Sequence, residues 1–331
     1  MRILFVTGTG YMPEAVSGAN VSLHALCMRL AGLGHEPIVA CTPAGRALPG
    51  WPAPGYDVIR VADPVAAMAE MIPVLEPDAT VVRAPWPAVR AAQWAAAAPA
   101  RRLHVYFNSL SFERAFPAPA RAPGLRYAAN SRFLAGVCEA FLGCRVAFVP
   151  SVIEPDDYRC TPDGDRILFV NPSQSKGAGL VAAIAERLPR RRFLVARSWA
   201  DTPADPLLEI ARPNVETTAP EYDMRAIYRQ ARLVLMPSLL EESTGRVVSE
   251  AQLSGIPVVA IDRGGLAESV GAGGTVLPLG APPERWCDAI EALLGDDAAY
   301  TAASRAARAH AARPECTPES ALARFLGFVM R

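Results

Sequence analysis

Apolar residues fall along this chain in short continuous runs separated by amphipathic stretches. Ile3 to Thr7 is the first such run, as expected of a strand buried on both faces of a parallel sheet. A loop with Gly8, Gly10, Pro13 and Gly18 follows. From Ala19, the residues Val21, Leu23, Ala25, Leu26, Met28 and Leu30 recur at helical spacing, and Gly34 is placed to cap that helix before a second strand, Pro37 to Cys41. Further strands are expected at ATVVR from Ala79, LHVYF from Leu103 and RVAFVP ending at Pro150. Strand alternating with helix predicts an α/β fold with a parallel sheet.

The pattern restarts after a polar stretch rich in Pro and Asp, SVIEPDDYRCTPDGD. RILFV from Arg166 reads as a new first strand and GLVAAIAERL as its helix. RFLVA, the helix DMRAIYRQA, the strand RLVLMPS, a helix from Thr244 or Gly245 to Gly255 and the strand IPVVAID complete the series. A chain of 331 residues exceeds one ordinary core. Two α/β domains are therefore expected, 1–158 and 159–312, with a C-terminal helix in 313–331 packing back on the first. Ligands of such proteins bind at the carboxyl ends of the strands, here in a cleft between the domains.

Composition narrows the function. Formal net charge is zero, which gives no reason to expect nucleic acid. Of 33 basic residues only Lys176 is a lysine. The seven cysteines form no CxxC pair and no cluster with histidine, as in a reduced cytoplasmic protein. MRILFVTGTG is too short for a signal peptide, and no apolar window is long enough to span a membrane. Gly8–Gly10 lacks the spacing of a dinucleotide fingerprint, and Asp163 and Asp165 read as linker turn residues rather than metal ligands.

The densest candidate chemistry is EESTGRVVSEAQLSGIPVVAIDRGG, from Glu241. Its helix would point its free N–H groups and partial positive charge at the preceding turn, a setting for a phosphate or for sugar hydroxyls. Gly245 permits close backbone approach, and Glu242 is placed to accept from ligand hydroxyls. Glu250 lies among Val247, Val248, Ala251 and Leu253, where a carboxylate is costly unless paired or hydrogen-bonded.

This segment resembles the Glu-x7-Glu motif of the retaining GT-B glycosyltransferases of family 4. ARLVLMPS before it, GIPVVAIDRGGLAESVG after it, AANSRFLAG from Ala128 and VPSVIEPDDY resemble the family too. The resemblance implies two Rossmann-like domains with parallel sheets facing across a cleft. It implies that Glu242 contacts the donor sugar, that Glu250 holds the nucleotide ribose, and that Ser243, Thr244 and Gly245 form the turn cradling sugar hydroxyls and phosphate. The family places a glycine-arginine pair and then Lys-Gly after this domain's first strand, both bases clamping the diphosphate. Here Lys176-Gly177 remains, but Asn171-Pro172 stands where the arginine would be; Arg197, Arg225 and Arg263 are the candidate substitutes. Gly18 matches the glycine loop under the donor phosphates. The histidine that many members carry after a middle strand is absent: Asn108 is near that place, while His104 falls inside the strand and reads as core.

From Arg83 to Arg132 the chain carries eight arginines and a single acidic residue, Glu113, with Trp86, Trp94, Tyr106 and Phe112 interleaved. That stretch reads as a solvated basic face, as an acceptor face for something anionic, or as a peripheral membrane contact. The expected function is metal-independent transfer of a hexosyl-type sugar, with retention, from a UDP- or GDP-sugar to a hydroxyl of a small-molecule, glycan or lipid-linked acceptor. No cofactor is expected, and the location is cytoplasmic, with membrane contact only at the periphery. The alternative is a nucleotide-sugar-binding GT-B protein with a lost or different activity, epimerase-like or non-catalytic.

Overall fold

In the computed structural model the described residues are 1–45, 48, 50–83, 102–110, 125–199 and 212–330. They divide into two compact units, Met1–Val152 with Thr317–Arg331, and Ile153–Cys316.

Unit 1 contains a seven-stranded parallel sheet in the order β3-β2-β1-β4-β5-β6-β7. Its strands are Arg2–Gly10 (β1), Glu36–Thr42 (β2), Asp57–Arg60 (β3), Ala79–Arg83 (β4), Leu103–Phe107 (β5), Arg126–Ala129 (β6) and Val146–Phe148 (β7). β1 shows why its residues are apolar without a break. Ile3 and Phe5 enter one core cluster while Leu4 and Val6 enter another, so both faces of the strand are covered. Phe325, from the helix Pro318–Val329, stacks on Phe5 with ring centroids 5.7 Å apart. The helix Gly18–Gly32 starts at Ser17, whose side chain accepts from the Asn20 N–H, and Gly34 follows its end at φ +77°.

Unit 2 contains a six-stranded parallel sheet in the order β10-β9-β8-β11-β12-β13. These strands are Arg166–Val170 (β8), Phe193–Ala196 (β9), Val215–Thr218 (β10), Ala231–Met236 (β11), Val258–Ile261 (β12) and Gly274–Leu277 (β13). One core joins Phe169, Phe193, Tyr228, Val248 and Trp286. Strand order reverses between β8 and β11, which in open α/β sheets is where the loops leaving the carboxyl ends diverge and ligands bind. Those two loops carry Lys176 and Glu242.

Several strands were not anticipated. β3 and β10 lie at sheet edges and bury few side chains, and VETT at β10 lacks the apolar run that marks a central strand. No helix of the described residues is long and apolar enough to cross a membrane.

Candidate functional site

The loop after β8 is shaped by two residues in left-handed backbone. Asn171 stands at φ +63°, and Gly177 at φ +88°, where a Cβ would collide with the carbonyl oxygen of Pro237. Between them Gln174–Lys176 forms one 3₁₀ turn. The Leu239 N–H donates to the Ser175 carbonyl at 2.9 Å, which ties this loop to the one after β11. The result brings Lys176 against Glu242: the ammonium donates to Oε1 of the carboxylate. Ser238 Oγ donates to the same oxygen at 2.8 Å. Both members of the pair are partly exposed, with side chains at 23% and 17%, so a ligand can reach them.

Behind Glu242 lies the start of the loop after β12. Glu242 pairs with Gly264 as an isolated parallel bridge, and the Gly265 N–H donates to the Glu242 carbonyl at 2.7 Å. A Cβ on Gly264 would run into the Glu242 carbonyl, and one on Gly265 into that of Ser243. These two glycines therefore let the Glu242–Gly245 turn rest directly on neighbouring backbone. Ser269 Oγ donates to the Thr244 carbonyl and fixes the far end of the turn. Gly245, buried at φ +69°, then opens the helix Arg246–Leu253. The Val248 N–H donates to the Gly245 carbonyl at 2.9 Å, and the positive end of the helix faces the turn.

Glu250 lies one helical turn and more beyond, 5% exposed. Its Oε1 pairs with Arg246 Nε at 2.5 Å, and its Oε2 accepts from the Tyr228 hydroxyl at 2.6 Å. Arg246 also donates to the Tyr158 hydroxyl at 2.7 Å. Burial pushes the Glu250 carboxyl above its ordinary value, while Arg246 and the Tyr228 hydrogen bond pull it down. Burial raises the Tyr158 hydroxyl too, to about 12.

Among the expected residues, the fold brings Lys176, Glu242, Ser243, Thr244 and Gly245 to neighbouring loops at one edge of the unit 2 sheet. Glu250 is set apart in its own buried network. Gly18 is the exposed first residue of its helix in unit 1. Of the arginines considered as substitutes, Arg225 is exposed and bound to Asp223 at 2.8 Å, and Arg197 is exposed. Arg263 directly precedes the bridge partner of Glu242, and its Nε is buried with no hydrogen-bond partner. His104 is 1% exposed and lies beside Phe328, ring centroids 4.8 Å apart, which makes it a core residue. Asn108 is half-buried. Most of the Arg83–Arg132 stretch, Trp86, Trp94 and Phe112 included, lies outside the described residues. Of its ends, Arg83 is buried and donates to Asn20 Oδ1 at 2.9 Å, while Arg132 stands over the Phe148 ring.

Sequence reasoning missed Ser238, Arg246, Tyr228 and Tyr158. An arginine four residues before a glutamate in an apolar helix was a readable signal for the Arg246–Glu250 pair. Nothing local marked Tyr228 or Tyr158, whose contacts with the pair span 22 and 88 residues of chain.

Two parallel α/β units of this topology define the GT-B architecture. Residues 165–296, most of unit 2, match the family model described as Glycosyl transferases group 1. The chain is 38% identical over 142 residues to a D-inositol 3-phosphate glycosyltransferase of Corynebacterium aurimucosum, covering 39% of this chain and 34% of that one. It is 36% identical over 163 residues to the enzyme of the same name from Mycobacterium avium, covering 45% and 38%. The matched segment thus spans well under half the length of these relatives. Over the whole chain the fold resembles that of Anabaena Alr3699/HepE in complex with UDP, at TM-score 0.80 and 17% identity, covering 99% of both chains. A glycosyltransferase from Rickettsia africae superposes with TM-score 0.79 at 17% identity, covering 98% of this chain and 97% of that one.

Proposed function

We propose that this protein is a retaining glycosyltransferase that moves a hexosyl group from a nucleoside diphosphate sugar to an acceptor hydroxyl without a metal. The observation that carries the reading is the meeting of Lys176 with Glu242 at the strand-order reversal of unit 2, beside the helix start at Gly245. A lysine ammonium and the positive end of a helix are what a leaving diphosphate requires. A carboxylate two residues before Thr244 is what sugar hydroxyls require.

On this reading donor binding exchanges partners. Lys176 turns from Glu242 to a phosphate oxygen, and Glu242 is released to accept from the sugar. The bond from C1 of the sugar to the diphosphate oxygen then breaks, the bond to the acceptor oxygen forms on the same face, and the acceptor's proton passes to the departing phosphate. As charge grows on that phosphate, Lys176 stabilises the transition state more than the ground state. Arg263 is proposed as the second cation in place of the arginine absent at Asn171-Pro172. It follows β12 next to Gly264, and its Nε has a free donor. Gly18 is proposed to lie under the donor phosphates, Ser243, Thr244 and Gly245 to hold sugar hydroxyls and phosphate, and Glu250 to hold the ribose.

The Anabaena protein's structures hold UDP and UDP-glucose, which makes UDP-glucose the first donor to try here and GDP sugars the next. The relatives named for D-inositol 3-phosphate suggest a phosphorylated polyol as the first acceptor class, ahead of glycan and lipid-linked ones. The protein is proposed to work in the cytoplasm, its Arg83–Arg132 stretch meeting an anionic acceptor or membrane surface.

Thermal unfolding against a panel of nucleoside diphosphates and their sugars, followed by donor hydrolysis without acceptor, tests the reading. A nucleoside diphosphate should raise the Tm in a concentration-dependent way, and slow release of free sugar should accompany it. Stabilisation by none of the panel would remove the reading. Stabilisation without hydrolysis or transfer to any acceptor class would favour a binding protein instead.

A further inference from the structure

Glu250 is a carboxylate at a position that does not favour one. Val248 and Ala251 beside it are fully buried, and Glu250 itself is 5% exposed. The groups that face it are Arg246 on its own helix, Tyr228 on the helix Met224–Arg229, and Tyr158 and Asp157 on the short helix Pro155–Tyr158. Arg246 and Tyr228 favour its charge, while burial and Asp157 oppose it.

Helix electrostatics do not explain the pair. Arg246 is the first residue of its helix, where the positive end of the dipole disfavours a cation. Arginine four residues ahead of glutamate is also the weaker of the two orders. Apolar residues of like volume at both positions would pack this core at lower cost, since desolvating two charges offsets most of their attraction. The arrangement is therefore best explained by a need for the Glu250 charge.

Counting acceptor sites indicates what that charge can do. An ionised carboxylate offers roughly four lone-pair sites. Arg246 Nε engages Oε1, and the Tyr228 hydroxyl engages Oε2, leaving one site on each oxygen. Two vicinal hydroxyls in cis arrangement donate two hydrogens at the spacing of those oxygens. A protonated Glu250 would lose this, because it would offer a donor where an acceptor is required.

We infer that Arg246 is a positioning residue that keeps Glu250 ionised and oriented, so that its two remaining acceptor sites receive the cis-diol of a ribose. This rests on the nucleotide-sugar reading above. Tyr228 fixes the second carboxylate oxygen. Tyr158 fixes the arginine, accepting from Nη2 at 2.7 Å while its ring centroid lies 5.2 Å from the guanidinium carbon. Arg246 itself touches no ligand.

The experiment has two arms. In the first, carbon NMR of glutamate carboxyls follows Glu250 in ligand-free protein, for the natural chain, Arg246→Leu and Arg246→Lys, with Glu250→Gln assigning the signal. Arg246→Leu should move the Glu250 titration to higher pH, and Arg246→Lys should restore most of it. An unmoved titration overturns the proposal whether or not a nucleotide binds. In the second, calorimetry compares UDP with its 2′,3′-dideoxy analogue from pH 5.5 to 8.5. The natural protein should prefer UDP by about a hundredfold or more, as for two lost hydrogen bonds to a charged group at about tenfold each. In Arg246→Leu that preference should vanish at low pH and return as pH rises. Equal loss for both ligands with no new pH dependence would reduce Arg246 to packing and overturn the proposal. A natural protein that binds neither ligand would overturn the nucleotide reading and the diol role with it, while the first arm still decides whether Arg246 sets the Glu250 charge. Should Arg246→Leu fail to fold, Tyr228→Phe removes the other donor and should shift the titration in the same direction by less.

Discussion

The Lys176 ammonium hydrogen-bonds Glu242 Oε1 across two loops that lie 66 residues apart in the chain. The two side chains thereby face each other directly across the loops. A nucleoside diphosphate sugar would have to replace that partner on both sides, supplying phosphate oxygens to one and hydroxyls to the other.

Lys176→Ala tests the cationic half. Losing one donor that acts on developing charge in a closed site costs about 10²–10³ in rate. Turnover should fall by about that factor with a smaller change in donor KM, and Lys176→Arg should recover part of it because charge returns with different geometry. Near-normal turnover in Lys176→Ala would mean that another cation, Arg263 first, carries the diphosphate.

Transfer should survive a strong chelator. Among the described residues no group of three His, Cys, Asp or Glu is arranged to hold a metal ion. Asp165 pairs with Arg192 at the surface, and Asp163 lies in the turn before β8, where its backbone N–H donates to the Arg229 carbonyl. Activity abolished by EDTA and restored by magnesium or manganese would reopen the role of that acidic pair.

The α/β class and most central strands were legible because buried parallel strands are apolar without interruption, as at Ile3–Thr7 and Arg166–Val170; β6, with its sequence RYAA, was not. β3 and β10 were not, because an edge strand needs little apolar surface. In the site, the Glu242–Gly245 turn and Lys176 could be found by motif. Their direct pairing could not, since it depends on Gly177 packing against Pro237 and on the Leu239–Ser175 hydrogen bond. The isolation of Glu250 was half legible: its apolar neighbours announced a buried carboxylate, while Tyr228 and Tyr158 reach it only through the tertiary fold.

Gly264→Ala should disable the turn without touching a ligand group. Gly264 stands at φ +65°, and a Cβ would strike the Glu242 backbone, which has no soft side chain to yield. Left-handed strain alone costs about 1–3 kcal/mol. Urea unfolding should show a loss of at least that scale, and turnover should fall through displacement of Glu242. A variant of unchanged stability and activity would contradict the close approach.

His104 gives unit 1 an acid sensitivity with a definite sign. Burial first, and Arg126 second, push its imidazole down to about 4. The folded value lies below the ordinary 6.5, so between those limits the unfolded chain binds the proton more readily. Stability contributed by the neutral ring is therefore complete above about pH 6.5 and declines as pH falls toward 4. His24, also in unit 1, and His310, in unit 2, are lowered by burial as well and add a decline of the same sign. His104→Leu should flatten part of the decline in Tm over that window; an unchanged pH profile would show that the ring is protonated or solvated in the folded state.

Glu242 and Glu250 should separate into turnover and binding. Glu242 is the partly exposed one, and Glu242→Ala should chiefly lower turnover while bare nucleoside diphosphate binds nearly as before. Glu250 requires a gentler change than alanine. Glu250→Ala would leave the Arg246 guanidinium buried without its carboxylate, and breaking a buried pair from one side costs about 3–5 kcal/mol. Unfolding would then be mistaken for lost affinity. Glu250→Gln keeps the shape and one acceptor oxygen, which can serve Arg246 or Tyr228 but not both, so it perturbs the core less than alanine while removing the charge; in the folded fraction it should weaken nucleoside diphosphate binding by about 1–3 kcal/mol. Calorimetry at pH 7.5, with circular dichroism on the same samples, makes the comparison. Equal losses of nucleoside diphosphate affinity in Glu242→Ala and Glu250→Gln would show that the two carboxylates serve one subsite rather than two.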